Sequence, residues 1–197
     1  MPLTMPQPPA AALRAVRAAL DSPTAVRALH TTAGRRRGGV PVASHALPVH
    51  LLDPAAATAA TASGDALAET RRTGWRFLVM DGDEVVAAAE TRSTEAGHGF
   101  SHFAGGPYPL ATLRALRQAQ MHTAGSQTVF LPRLLSVPGH YMTALWLHPV
   151  LDRAQSADVL IPLAPAPLGV TAHLPHDADE LLSLLSLGGG QLLTVTT

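Results

Sequence analysis

Two runs rich in apolar residues, Trp75–Met80 and Glu84–Thr91, flank Asp81-Gly82-Asp83, and this arrangement constrains the fold more than any other stretch. Asp-Gly between such runs predicts a tight antiparallel hairpin, because primed turns need a positive φ that Gly supplies without a Cβ clash. Further strands are predicted at Leu47–Leu52, ended by Asp53-Pro54, and at Thr128–Val137 and His140–His148, joined at Pro138-Gly139. Asp158–Ala164 reads as another strand, and Leu192–Thr197 is β-prone. Strands that follow one another through short turns favour an antiparallel sheet.

Helical signals lie around these strands. From Ala10, the residues Leu13, Val16 and Leu20 recur on one helical face. Ser22-Pro23 is an N-cap followed by a first-turn proline, opening a second short helix with Val26 and Leu29 that Gly34 stops. Pro107–His122 carries Leu110, Leu113 and Leu116 at spacing three and closes at Gly125. Asp177 caps a last helix, Ala178–Leu187, which Gly188–Gly190 terminates. Ala55–Arg72 stays open between a helix favoured by Ala propensity and a loop interrupted at Ser63-Gly64. Gly97–Gly106 reads as a Gly- and His-rich loop.

These elements predict an α+β fold with an antiparallel sheet of about five or six strands and helices packed on one face. An N-terminal helical appendage precedes it. The expected organisation is a flexible tail and appendage over 1–33, a Gly/Arg linker over 34–46, and an α+β domain over 47–197. From Ala55 onward, the order helix, hairpin, helix, three strands, helix resembles that of profilin-like and roadblock-type modules. The resemblance is one of element order, and no motif accompanies it. No internal repeat is visible in the sequence.

Composition excludes several chemistries. All 14 formal cations are Arg, and the chain contains no Lys, Cys or Asn. The bias matches a GC-rich genome of actinobacterial type. Without Lys there is no Schiff base and no phosphate-loop lysine. Without Cys there is no thiol nucleophile, disulfide or cysteine metal site. Fourteen acidic residues balance the arginines, and only 14% of the chain is charged. Such a surface gives no strong field, so nucleic acid and anionic membranes are not expected as partners. It also resists self-association weakly, which points to a protein partner or self-association. The start, Met1-Pro2-Leu3-Thr4, lacks a basic segment before an apolar run, so a cytoplasmic location is expected.

The ten histidines are the most suggestive chemical feature. His45 and His50 are separated by Pro48, and His173 and His176 flank Leu174-Pro175. His140 and His148 share a strand face with Met142, Ala144 and Trp146 but sit at its two ends. His98 and His102 have a spacing that would place two imidazoles on one side of a helical turn, with Glu95 nearby as a third ligand or base. Gly97 and Gly99 oppose a helix there. Glu95, His98 and His102 are therefore weak catalytic candidates, and His98 and His102 weak metal candidates. Gly105 and Gly106, just before the helix at Pro107, are weak anion-binding candidates, although Pro107 and Pro109 remove two N–H donors. Ser101 beside His102 lacks the Gly-x-Ser-x-Gly setting of a nucleophile elbow. Turn chemistry accounts for Asp81, Asp83 and Glu84, and Arg35–Arg37 is too short for a nucleic-acid arm. The expected function is a non-catalytic protein-binding or assembly module without a cofactor. The alternative is a small metal- or histidine-dependent hydrolase using residues 95–102.

Overall fold

A computed structural model describes residues 2–23, 27, 29, 39–53, 66–95, 97–150 and 156–189. Helix α1 (Ala10–Asp21) precedes four strands, β1 (Val42–Leu51), β2 (Arg71–Asp81), β3 (Glu84–Thr94) and β4 (Gly97–Ala104). Helix α2 (Pro107–Thr123) follows, then β5 (Phe130–Val137), a 3₁₀ turn (Pro138–His140), β6 (Met142–Pro149), β7 (Val159–Pro162) and β8 (His176–Asp177). Helix α3 (Ala178–Gly189) ends the described chain.

The α+β class holds, but the sheet is larger than predicted. Among the described residues it has eight strands in the order β4-β3-β2-β1-β5-β6-β7-β8. Every neighbouring pair is antiparallel except β1 with β5, where Val49, His50 and Leu51 run parallel to Leu134, Leu135 and Ser136. Two four-stranded meanders, β1–β4 and β5–β8, thus lie back to back along one parallel seam.

Two strands were not foreseen. Gly97–Gly106 is mostly strand: its glycines disfavour regular structure, but Phe100 and Phe103 pack with the buried cluster beneath α1. That burial, worth about 1.5–3 kcal/mol for a fully buried large side chain, outweighs local propensity. The change also removes the element order on which the resemblance to profilin-like and roadblock-type modules rested. Strand β8 has only two residues, too few for periodicity to register.

The hairpin at Asp81–Glu84 forms as predicted, with Gly82 at φ 62°. In the same hairpin, a Cβ at Gly74 would collide with the Thr91 carbonyl, so β2 and β3 approach closely only because Gly stands there.

Helices cover both faces of the sheet instead of one. Trp75, Phe77 and Val79 of β2 cluster with Ala12, Val16 and Ala19 of α1, while Leu78 points the other way, to Leu113 of α2. In β5 and β6, Leu134, Leu145 and Leu147 meet Ala111, Ala115, Leu116 and Ala119 of α2. The alternate residues Leu135, Ala144 and Trp146 meet Leu181, Leu182 and Leu185 of α3. One face therefore carries α1 and α3, and the opposite face carries α2. The N-terminal helix is part of this core and no appendage: Ala12, Val16 and Ala19, at helical spacing, let it lie close to the sheet.

Residues 2–4, expected within a loose tail, are tied to β5: the Phe130 N–H donates to the Pro2 carbonyl and the Thr4 N–H to the Phe130 carbonyl. Residues 42–46, read as linker, belong to β1. The rest of that predicted linker up to Gly38, most of Ala55–Arg72, and Leu192–Thr197 lie outside the described residues. Among the described residues no helix is long and apolar enough to cross a membrane.

Candidate functional site

A cleft of about 430 Å³ opens on the face that carries α1 and α3. Its floor is the seam between the two meanders: His50 of β1, Arg133 of β5, and Trp146 and His148 of β6. Thr70 and the preceding turn close one side. Ser156–Asp158 and the start of α3, Asp177–Asp179, close the other. Its volume lies toward the small end of ligand pockets, roughly 300–1,000 Å³.

Strand alternation places these side chains. On β6, Met142, Ala144, Trp146 and His148 project to one face, and Arg133 of β5 lies directly opposite Trp146 in register. The Arg133 guanidinium carbon sits 4.7 Å from the centre of the Trp146 ring, a cation–π contact. The His50 and His148 rings meet the indole edge-on, with centroids 5.3 and 5.4 Å away. Trp146 is 3% exposed, so it supports the cleft more than it lines an open surface.

Asp158 holds this group together. Its Oδ1 accepts the indole N–H of Trp146 at 2.6 Å and the Nδ1–H of His148 at 2.8 Å. A carboxylate only accepts, so His148 carries a proton on Nδ1. The Asp158 carbonyl in turn accepts from the Ala178 N–H at 3.0 Å, which fixes the start of α3 against the strand edge. The Asp177 Oδ1 caps α3, accepting from the Asp179 N–H at 3.0 Å and the Glu180 N–H at 3.2 Å.

His50 is electrically distinctive. Burial, and then the positive charges of Arg133, Arg72 and His148, push its pKa down to about 4. It is a neutral imidazole at ordinary pH. Its Nδ1 lies 3.5 Å from Thr70 Oγ1, whose own proton goes to the Leu67 carbonyl. Burial also lowers the pKa of His45, and burial followed by Arg114 lowers that of His173. Both residues hold left-handed backbone, at φ 45° and 63°.

The residues singled out from the sequence lie elsewhere. His98 and His102 are on edge strand β4, which carries a bulge: His102 pairs with Glu90 and Phe100 with Thr91, leaving Ser101 extra. A bulge breaks strict alternation, so His98 and His102 do not share a face. Glu95 is exposed in the β3–β4 turn, and His102 is exposed with Ser101 Oγ at 3.1 Å from its Nδ1. Gly106 precedes α2 at φ 75°, with Gly105 beside it and Pro107 at the first helical turn. Among the described residues, no group of three or more His, Asp or Glu is set to hold a metal ion.

The cleft residues carried a sequence signal that spacing alone did not rank. Arg133 within Leu-Pro-Arg-Leu-Leu, His148 after Leu-Trp-Leu, and Asp158 before Val-Leu-Ile-Pro each place a polar group inside an apolar strand or at its end. Buried polar groups require partners, and these three meet around one indole. In comparisons with known proteins, no family model, curated protein or solved structure matches the chain.

Proposed function

We propose that this chain is a non-catalytic binding module that engages a partner through the cleft between its two meanders. The observation that carries this reading is the Asp158 network. One carboxylate oxygen fixes both Trp146 and His148, and Arg133 is stacked on the same indole. Side chains locked in this way are pre-organised for recognition, and Trp and Arg are the residue types that dominate binding hot spots.

The test compares proteins co-purified from the producing cell with tagged wild type, with Arg133→Gln, and with a control, His102→Ala. The expected result is a protein enriched with wild type and control but lost with Arg133→Gln. If every enriched protein is indifferent to Arg133, the reading fails.

The His148–Asp158 pair favours a second reading, acid–base catalysis in the same cleft, because a carboxylate-oriented imidazole is a common general base. Turnover of ester, amide or phosphoester substrates that disappears in His148→Gln would replace the first reading with this one.

A further inference from the structure

Helices α2 and α3 each carry a stripe that the fold leaves outside. On α2, Leu110, Arg114, Arg117 and Met121 follow one another at steps of four, three and four residues, so they share the side away from the sheet, and all four are exposed. On α3, Glu180 and Leu184 are four residues apart and exposed on the outer side, while Leu181, Leu182 and Leu185 face the sheet. Helix α2 contains no Asp or Glu, and α3 contains no Arg or His. Among the described residues, Arg114, Arg117 and Glu180 take part in no ion pair. Leu110, Met121 and Leu184 leave large apolar side chains in water beside these charges.

The two stripes complement each other in charge and in spacing. Each Arg of α2 lies four residues from an apolar side chain, Arg114 from Leu110 and Arg117 from Met121, and Glu180 lies four residues from Leu184. Laid side by side in either direction, the acid meets an Arg where Leu184 meets Leu110 or Met121. One molecule cannot make this contact with itself, because α2 and α3 cover opposite faces of the sheet. We infer that the α2 stripe of one copy docks on the α3 stripe of the next. The two surfaces differ and point away from each other, so the contact is heterologous and leads to open chains of molecules instead of a two-fold dimer. A second copy fits the α2 stripe better than an anionic lipid surface: the matching acid stands on the same molecule, and the chain has no net charge to draw it to such a surface. Contacts this small and this polar are weak and sensitive to salt.

Sedimentation velocity of the full chain over a concentration series provides the test. The wild type is expected to grow past a dimer as concentration rises and to return to monomer at high salt. Arg114→Glu combined with Arg117→Glu makes both stripes acidic, and Glu180→Arg makes both basic. Each of these two proteins alone is expected to stay monomeric. Mixed in equal amounts, they present an acidic stripe to a basic one again and are expected to form chains like the wild type, which also shows that each is folded. The neutral change Glu180→Gln, which disturbs α3 least, is expected to weaken assembly about threefold.

A wild type that sediments as a monomer at every concentration overturns the inference. So does wild-type assembly by either reversed protein on its own, or by Glu180→Gln. A monomer that instead binds phosphatidylglycerol vesicles, and loses them with the Arg114 and Arg117 changes, also overturns it and makes α2 a lipid-facing surface.

Discussion

The two tryptophans lie on the same face of one sheet, one in each meander, and they are treated differently. Trp75 packs under α1 with Phe77, Val79 and Phe103, and its indole N–H is buried without a hydrogen-bond partner among the described residues. Trp146 is equally buried, but its N–H is bound by Asp158 and its ring is framed by Arg133, His50 and His148. The first meander is sealed on this face by small apolar residues of α1. The second is left open beside the N-terminus of α3, and polar groups fill the gap. A sealed half that tolerates an unsatisfied donor serves stability. The open half uses a carboxylate to fix side chains, and it is the half that lines the cleft.

The sharpest way to break this contrast is to disturb the seal. Val16→Asp puts an unpaired carboxylate between α1 and β2, where Val16 is fully buried. It is expected to cost about 4 kcal/mol or more in urea denaturation. If the cost is below about 1 kcal/mol, α1 is not a structural part of the first meander.

The next effect compares the two rings directly. Trp146→Phe removes one of the two N–H groups bound by the Oδ1 of Asp158, leaving that of His148, and is expected to cost about 1–3 kcal/mol beyond the lost ring volume. Trp75→Phe removes a donor with no partner among the described residues, so its cost is expected not to exceed that of the lost ring volume. Equal costs would show that the two sites do not differ in the way described.

A pH series sharpens the same point. The unfolded chain takes up a proton at His50 near the ordinary value of 6.5, while the folded protein resists until about 4. The unfolded state therefore binds more protons in this window, and stability is expected to fall as pH drops from 6.5 toward 4. His45 and His173, whose pKa values are also lowered, act in the same direction. His50→Gln should flatten the slope, and an unchanged slope would remove His50 as a cause.

The smallest effect concerns the rim. Asp177→Ala removes the cap of α3 and is expected to cost about 1 kcal/mol, while Asp177→Asn costs a few tenths at most. A large loss with Asn would mean that the charge itself, and not the cap, holds α3 in place.

Local signals foretold much of the framework. The Asp81–Asp83 turn, the helix from Pro107, the strands around Pro138-Gly139 and the Asp177 cap each follow from a few adjacent residues, and each formed. Strand β4 was misread because its glycines argue locally for a loop, whereas Phe100 and Phe103 gain burial only once α1 is in place. The candidate site was legible only in pieces. Histidine spacing drew attention to His98 and His102, which a single extra residue, Ser101, sets apart. His50 and His148 lie 98 residues apart in the chain and meet the same indole only because β1 and β6 both flank β5.

By itself the sequence determined which chemistries lie outside the reach of this chain, since no lysine or cysteine is present to perform them. It also determined where the backbone turns and where most helices start, because those depend on φ, on capping oxygens and on periodicity over a few residues. Tertiary structure alone decided the parallel seam, the sharing of helices between two faces, and the gathering of Arg133, Trp146, His148 and Asp158. These depend on which strands become neighbours, and that choice is made by burying distant apolar faces together, an energy that no short stretch of chain contains.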